Sequence, residues 1–179
     1  MLIRLLKNSV FVLFVIDRIS INFKYKKDKA TSRLSNVLYL VASLTYISLI
    51  VSSYVETALK NNINFFISLA GGIVFIFGIT FRNLAIKEMG VNWSFHLEPK
   101  PESMLITHGI YKHITHPYYL GVMLELIGFS LLFNSLRTFI FIFILQLPII
   151  LVRISFEERF LIHRHGKRYD VYRKFPEDA

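Results

Sequence analysis

The chain alternates between long runs without charge and short polar stretches, most of them basic. Two of the runs are long enough to cross a bilayer as helices, which takes about 20 apolar residues. They extend from about Leu34 to Val55 and from about Ile63 to Phe81. Only a few residues around Lys60, Asn61 and Asn62 separate them, so they are expected to form an antiparallel hairpin. Gly71, Gly72 and Gly78 fall inside the second run, and small residues there predict close helix packing. The polar stretch from Arg82 to Tyr111 contains Pro99 and Pro101, which forbid a continuous helix. It is expected to be a loop or a broken amphipathic piece on the membrane surface.

A third span is predicted from Pro117 to about Phe133, interrupted only by Glu125. Asn134 and Ser135 turn the chain into a fourth, from Leu136 to about Val152, with a kink expected at Pro148. From Arg153 the pattern is that of a helix leaving the membrane, then a short basic end. The first apolar run, Ser9 to Ile16, is followed by Asp17, Arg18 and a basic stretch instead of a small-x-small cleavage site. It reads as a further short or tilted span. The expected fold is all-α: a polytopic membrane bundle of four to five transmembrane helices forming one integral membrane domain. Residues 1–81 would supply the N-terminal spans, and residues 82–179 the half that carries chemistry.

Composition agrees with lipid contact. Apolar residues make up 54% of the 179 positions and charged residues only 18%, and there are seventeen Phe. The net charge of +9 is gathered between the apolar runs, not spread over one face, which argues for membrane topology and against nucleic acid. Lys and Arg concentrate between Arg18 and Arg33, after Phe81 and in the C-terminal tail. That bias places the large polar segments and the C-terminus in the cytoplasm. With no Cys there is no disulfide, thiolate metal site or catalytic thiol. His108, His113 and His116, and separately His163 and His165, lack carboxylates at a ligand spacing, so no metal is expected. Neither a dinucleotide fingerprint nor a phosphate loop is present.

Two clusters could carry chemistry. The first, GIYKHITHPYYLG from Gly109 to Gly121, runs into the third span, with Pro117 suited to the first turn of a helix. The free amides and positive end of that helix suit a ligand carboxylate, and the Tyr and His side chains offer stacking and hydrogen bonds. An aromatic belt at the membrane interface would give the same composition. The second cluster, RISFEERFL from Arg153 to Leu161, precedes Gly166, Tyr169 and Tyr172. Arg153 and Glu157 lie one turn apart on one face, and Glu158 points about 100° away. Adjacent carboxylates at the mouth of a span need a positive partner; a salt-bridged, solvated helix end is the plainer reading. Glu125, inside an apolar run, must be paired or line a cavity.

Together the clusters resemble the isoprenylcysteine carboxyl methyltransferase family, whose pattern couples GxYxxxRHPxYxG to RIxxEExxLxxxxGxxYxxY. Here the blocks read GIYKHITHPYYLG and RISFEERFLIHRHGKRYDVY, with MLITHG upstream similar to the family's LVTxG. The likeness covers about residues 90 to 176. It implies a helical membrane bundle with a cytoplasmic-side pocket for S-adenosylmethionine and a lipophilic acceptor arriving from the bilayer. Carried over by position, the cofactor pocket would use His96, Ser103, Met104, Leu105, Ile106, Tyr111, His116, Pro117, Tyr118, Tyr119 and Glu157. Arg153 would bind the acceptor's carboxylate, and with Glu157 it would form the catalytic pair. The chain departs from the pattern at Thr115, where the family has Arg. This keeps the reaction class and leaves open which acceptor is used.

The resemblance therefore implies methylation of an isoprenylcysteine-like carboxylate, on a lipophilic small molecule or a prenylated acceptor, with membrane lipid as the surroundings and no nucleic acid. O- or N-methylation of another lipid or polyketide-like acceptor is the alternative. A hydroxyl acceptor would require a base, for which His113, His116 or Glu125 are candidates. Outside methyl transfer stand a membrane reductase using a nicotinamide cofactor and a non-enzymatic scaffold or transporter subunit.

Overall fold

The computed structural model describes residues 2–25, 32–60, 63–97, 104–174 and 176. Among them the structure is helical, without strands. Helix α1 is Leu2–Tyr25, α2 Arg33–Ala58, α3 Phe65–Met89 and α4 Pro117–Leu132. The last long run starts as α5, Leu136–Phe141, passes through a π-helical turn at Ile142–Gln146, and continues as α6, Leu147–His165. Gly166, at a φ of 55°, breaks it before the short α7, Lys167–Lys174. Three of these runs are long and apolar enough to cross a membrane: α2, α3 with its 3-10 extension to Asn92, and Leu136–His165. The shorter α4 is also apolar.

Helices appear at all four predicted spans, but only three are long and apolar enough to cross a membrane; the third predicted span is the shorter α4, and the other differences from expectation have causes. The second was expected to end at Phe81, but α3 runs on to Met89 and takes Arg82 into the bundle, where the residue is fully buried. Its charge is met there, so no break is needed. The fourth continues well past Val152, to His165. Pro148 does bring an irregularity, in the turn just before it. The proline has no N–H for the carbonyl four residues back and its ring crowds that carbonyl, and the helix widens to a π turn instead of breaking. Helix α1 is about 36 Å long at 24 residues. It carries Lys7, Asp17 and Arg18 and is not among the runs apolar enough to span.

Antiparallel α3 and α4 form the spine. Gly71 faces Leu132, Phe75 faces Gly128, Gly78 faces Glu125 and Gly121 faces Arg82. A methyl group on any of these four glycines would come within 3.0 Å of the opposite backbone. Helices this close gain dispersion contact along their whole length, which lipid cannot supply. Phe14, Phe75, Phe129 and Phe133 fill the adjoining core, and the Phe129 and Phe133 rings stack at 4.4 Å.

The same closeness brings charged side chains together. Glu125 is fully buried, and Arg82 Nε donates to it at 2.6 Å. Arg18 also donates to Glu125, and Tyr46 Oη donates at 3.1 Å. Arg82 Nη2 reaches Asp17 at 2.6 Å. Two cations thus meet two anions, and the cluster ties α1 and α2 to the spine. A buried charge without such partners is strongly destabilising.

At one end of the bundle the turn between α4 and α5 is tied down. Asn134 adopts a φ of 54°, accepts from Asn64 N at 3.0 Å and donates to Ser68 at 2.6 Å. The candidate site lies at the other end.

Candidate active site

The link between α3 and α4 is held over the end of the bundle by specific contacts. Leu97 N donates to Ser35 Oγ on α2 at 3.0 Å, and Tyr111 Oη donates to the Ala85 carbonyl at 3.3 Å. Trp93 is 2% exposed and packs edge-on to Phe95 at 4.3 Å. From the far side α7 folds back, and Tyr172 Oη donates to the Tyr111 carbonyl at 2.8 Å. Burial, and then nearby Glu157, hold the Tyr111 phenol well above its ordinary pKa. Burial pushes Tyr172 up to about 12. Both hydroxyls therefore remain donors at neutral pH.

Beneath this cover is a cavity of about 280 Å³. His96, Met104, Leu105, Ile106, Tyr111, His116, Pro117, Tyr118, Tyr119, Arg153 and Glu157 all line it. Ser103 lies outside the described residues. Helix α4 opens at the cavity with Pro117 in its first turn and no side-chain cap, so its amide end faces the space. At 16 residues α4 is about 24 Å long, short of the roughly 30 Å hydrocarbon thickness.

Arg153 is the most informative group. It is 7% exposed, and Nη2 donates to the Phe95 carbonyl at 2.8 Å. Nη1 is buried and has no hydrogen-bond partner. The Tyr169 hydroxyl, on α7 and also lining the cavity, is in the same state. Burial, then Glu158 and Glu157, raise the Tyr169 pKa, so it too stays protonated. Two orphaned donors facing one cavity are what a polar ligand would satisfy.

Glu158 serves elsewhere. One oxygen lies 3.3 Å from His116 Nε2 and the other accepts from Arg173 at 3.2 Å. This chain links the N-terminus of α4 to α6 and α7, and Arg173 is the cation that the paired carboxylates required. Of the three bases considered for a hydroxyl acceptor, only His116 lines the cavity. Glu125 is held by two arginines. Thr115 lines the cavity too.

The residue reading missed Trp93, Tyr169, Tyr172, Gln146, Arg18 and Tyr46, all in the lining. Tyr169 and Tyr172 stood in the second sequence block and could have been chosen. Arg18, Tyr46 and Gln146 have no local signature, because they reach the cavity only through the packing of α1, α2 and the π turn.

The match to a family model decides the assignment. The model for the isoprenylcysteine carboxyl methyltransferase (ICMT) family matches residues 71–163, from the first glycine of the spine into the last turn of α6. The chain belongs to this family. A probable protein-S-isoprenylcysteine O-methyltransferase of rice (Oryza sativa subsp. indica) is 32% identical over 110 residues, 60% of this chain and 57% of the relative. The protein-S-isoprenylcysteine O-methyltransferase of Schizosaccharomyces pombe is 31% identical over 96 residues, 52% and 40% of the two chains. An uncharacterized protein of Haemophilus influenzae is 29% identical over 127 residues, 70% and 73%. This member of the ICMT family thus spans a little over half the length of its rice relative. Family membership and the three apolar helices make it an integral membrane protein.

Proposed function

We propose that the chain transfers the methyl group of S-adenosylmethionine to the carboxylate of a lipophilic, isoprenylcysteine-like acceptor. The observation that carries this reading is Arg153, buried, with one guanidinium nitrogen unpartnered beside a cavity lined by the other family-type residues that are described. The named activity of the rice and yeast relatives supports the same chemistry.

The residues fit such a donor. Trp93, Phe95, Tyr118 and Tyr119 offer ring faces to a sulfonium. Glu157 is placed to accept from hydroxyl or amino groups, and the amide end of α4 suits a carboxylate. When bound, S-adenosylmethionine supplies an electrophilic methyl group, which an acceptor oxygen takes in line as the carbon–sulfur pair leaves on sulfur. Arg153 would hold the acceptor carboxylate through a charge-assisted contact and aim its oxygen. A carboxylate is already ionised at pH 7, so no side chain has to remove a proton. The loop from Trp93 to Leu97 and α7 exclude water, and positioning supplies most of the remaining acceleration. The Lys and Arg distribution supports a site and C-terminus on the cytoplasmic side.

Calorimetry of S-adenosylhomocysteine binding to detergent-purified protein tests the donor. Saturable binding is expected, weakened by Glu157→Ala and by Tyr119→Ala. A folded sample that does not bind would refute the methyltransferase reading and direct attention to nicotinamide cofactors.

A further inference from the structure

Helix α7 buries two tyrosines, and the fold uses them differently. Tyr172 donates to the Tyr111 carbonyl at 2.8 Å, which straps α7 to the α3–α4 link. Tyr169, one turn earlier on the same face, is 1% exposed, and its hydroxyl has no hydrogen-bond partner. Burying a hydroxyl without a partner costs stability. A bare donor at the wall of a cavity therefore marks a place that a ligand completes. Tyr169 also lies beyond residues 71–163, the stretch that the family model matches.

The groups around this hydroxyl say what kind of ligand. Tyr169 stands in the field of Glu158 and Glu157. Glu158 is neutralised by Arg173 on α7 and shared with His116, the residue that precedes α4. That bridge holds α7 against the uncapped amide end of α4. Glu157 lines the cavity and forms no salt bridge among the described residues. An unpaired carboxylate, a neutral donor and the positive end of a helix are thus gathered at one wall. A zwitterionic α-amino acid matches that set, with its ammonium on Glu157 and its carboxylate on the hydroxyl and the helix end. S-adenosylmethionine carries such an end on its sulfur.

We infer that Tyr169 is a donor-binding residue, its hydroxyl donating to the carboxylate of the cofactor's amino-acid end while Glu157 holds the ammonium. This rests on the proposed use of S-adenosylmethionine and says how that molecule is gripped. Helix α7 is then part of the cofactor pocket, and Tyr172 is the strap that keeps Tyr169 in place. Anchoring the amino-acid arm fixes the sulfur, so that the methyl group is aimed at the acceptor held by Arg153.

The test is calorimetry on the detergent-purified chain with two ligands, S-adenosylhomocysteine and its decarboxylated analogue, which keeps the nucleoside, the thioether and the ammonium. The native protein is expected to bind S-adenosylhomocysteine roughly tenfold more tightly, the worth of a hydrogen bond to a charged group. Tyr169→Phe should weaken S-adenosylhomocysteine about tenfold and leave the analogue unchanged, whereas Glu157→Gln should weaken both. Because the hydroxyl is unpaired without ligand, Tyr169→Phe should not lower the melting temperature of the ligand-free protein. Tyr172→Phe, which loses the bond to Tyr111, should lower it. Equal weakening of both ligands by Tyr169→Phe would put the hydroxyl at the nucleoside and overturn the inference. Unchanged S-adenosylhomocysteine affinity, or a marked fall in the ligand-free melting temperature of Tyr169→Phe, would overturn it too. If Tyr169→Phe does not fold, the native protein decides, and equal affinity for the two ligands contradicts a carboxylate contact. Binding of neither ligand by folded native protein removes the proposed cofactor, and this inference with it.

Discussion

Arg153 is held by the Phe95 carbonyl through one nitrogen and leaves the other facing the cavity. Arg153→Ala should therefore lower kcat/KM for the acceptor about ten- to hundredfold, the worth of a charged hydrogen bond, while S-adenosylhomocysteine binding survives. Loss of cofactor binding instead would move Arg153 to the donor's half of the cavity. Because the acceptor is already ionised, kcat should stay flat between about pH 6 and pH 8. A slope through that range would point to a base, and His116, backed by Glu158, would be its source. Thr115→Arg restores the family residue in the lining and should improve use of a prenylcysteine if that is the native acceptor class. At this scale the cavity lining was legible in local blocks: His116, Pro117, Tyr119, Arg153 and Glu157, all from two short motifs, meet at one cavity. Glu125 was legible only as a problem. The sequence showed a buried acid that needed partners, but Arg18 lies 107 residues away and Arg82 43. Nothing local joins them.

Among the elements, α3 and α4 depend on their glycines in a register that can be tested. Gly71→Ala and Gly128→Ala push a methyl group into the facing backbone and should each lower stability by about 1–3 kcal/mol, read as a lower melting temperature in detergent. Gly72→Ala should be nearly silent, since its nearest neighbour is a Leu132 methyl at 3.7 Å. Equal effects would mean a different face is packed. The uncharged runs made the spans easy to read, and their ends were harder. An isolated Arg82 looks like a helix stop until Glu125 and Asp17 are placed beside it. Likewise α1 looked like a marginal span, yet Asp17 and Arg18 within it turn out to be docking contacts. Glu125→Leu should show this by leaving buried Arg82 and half-buried Arg18 poorly compensated, at a cost of about 3–5 kcal/mol.

For the whole molecule, the bundle joins a lipid-facing exterior to one cavity at one end, covered by the α3–α4 link and α7. The absence of Cys makes its orientation simple to measure. A single cysteine introduced at exposed Lys174 should react with an impermeant maleimide only when the cytoplasmic side is opened, and labelling of intact cells would reverse the topology. The bundle class could be read from hydropathy, and the family from two motifs at a fixed separation. The shape of the cavity could not, because α1, α2 and the π turn contribute walls that only assembly brings into place. The central claim is carboxyl methylation, and the fate of the transferred methyl group tests it most directly. Protein in lipid is incubated with S-adenosylmethionine labelled in the methyl group and a lipophilic S-alkylcysteine, and the labelled product is treated with mild base. A methyl ester releases its label as volatile methanol, and that release is the expected result. Label that stays with the lipid after base would show an ether or amine product, contradicting the role given to Arg153.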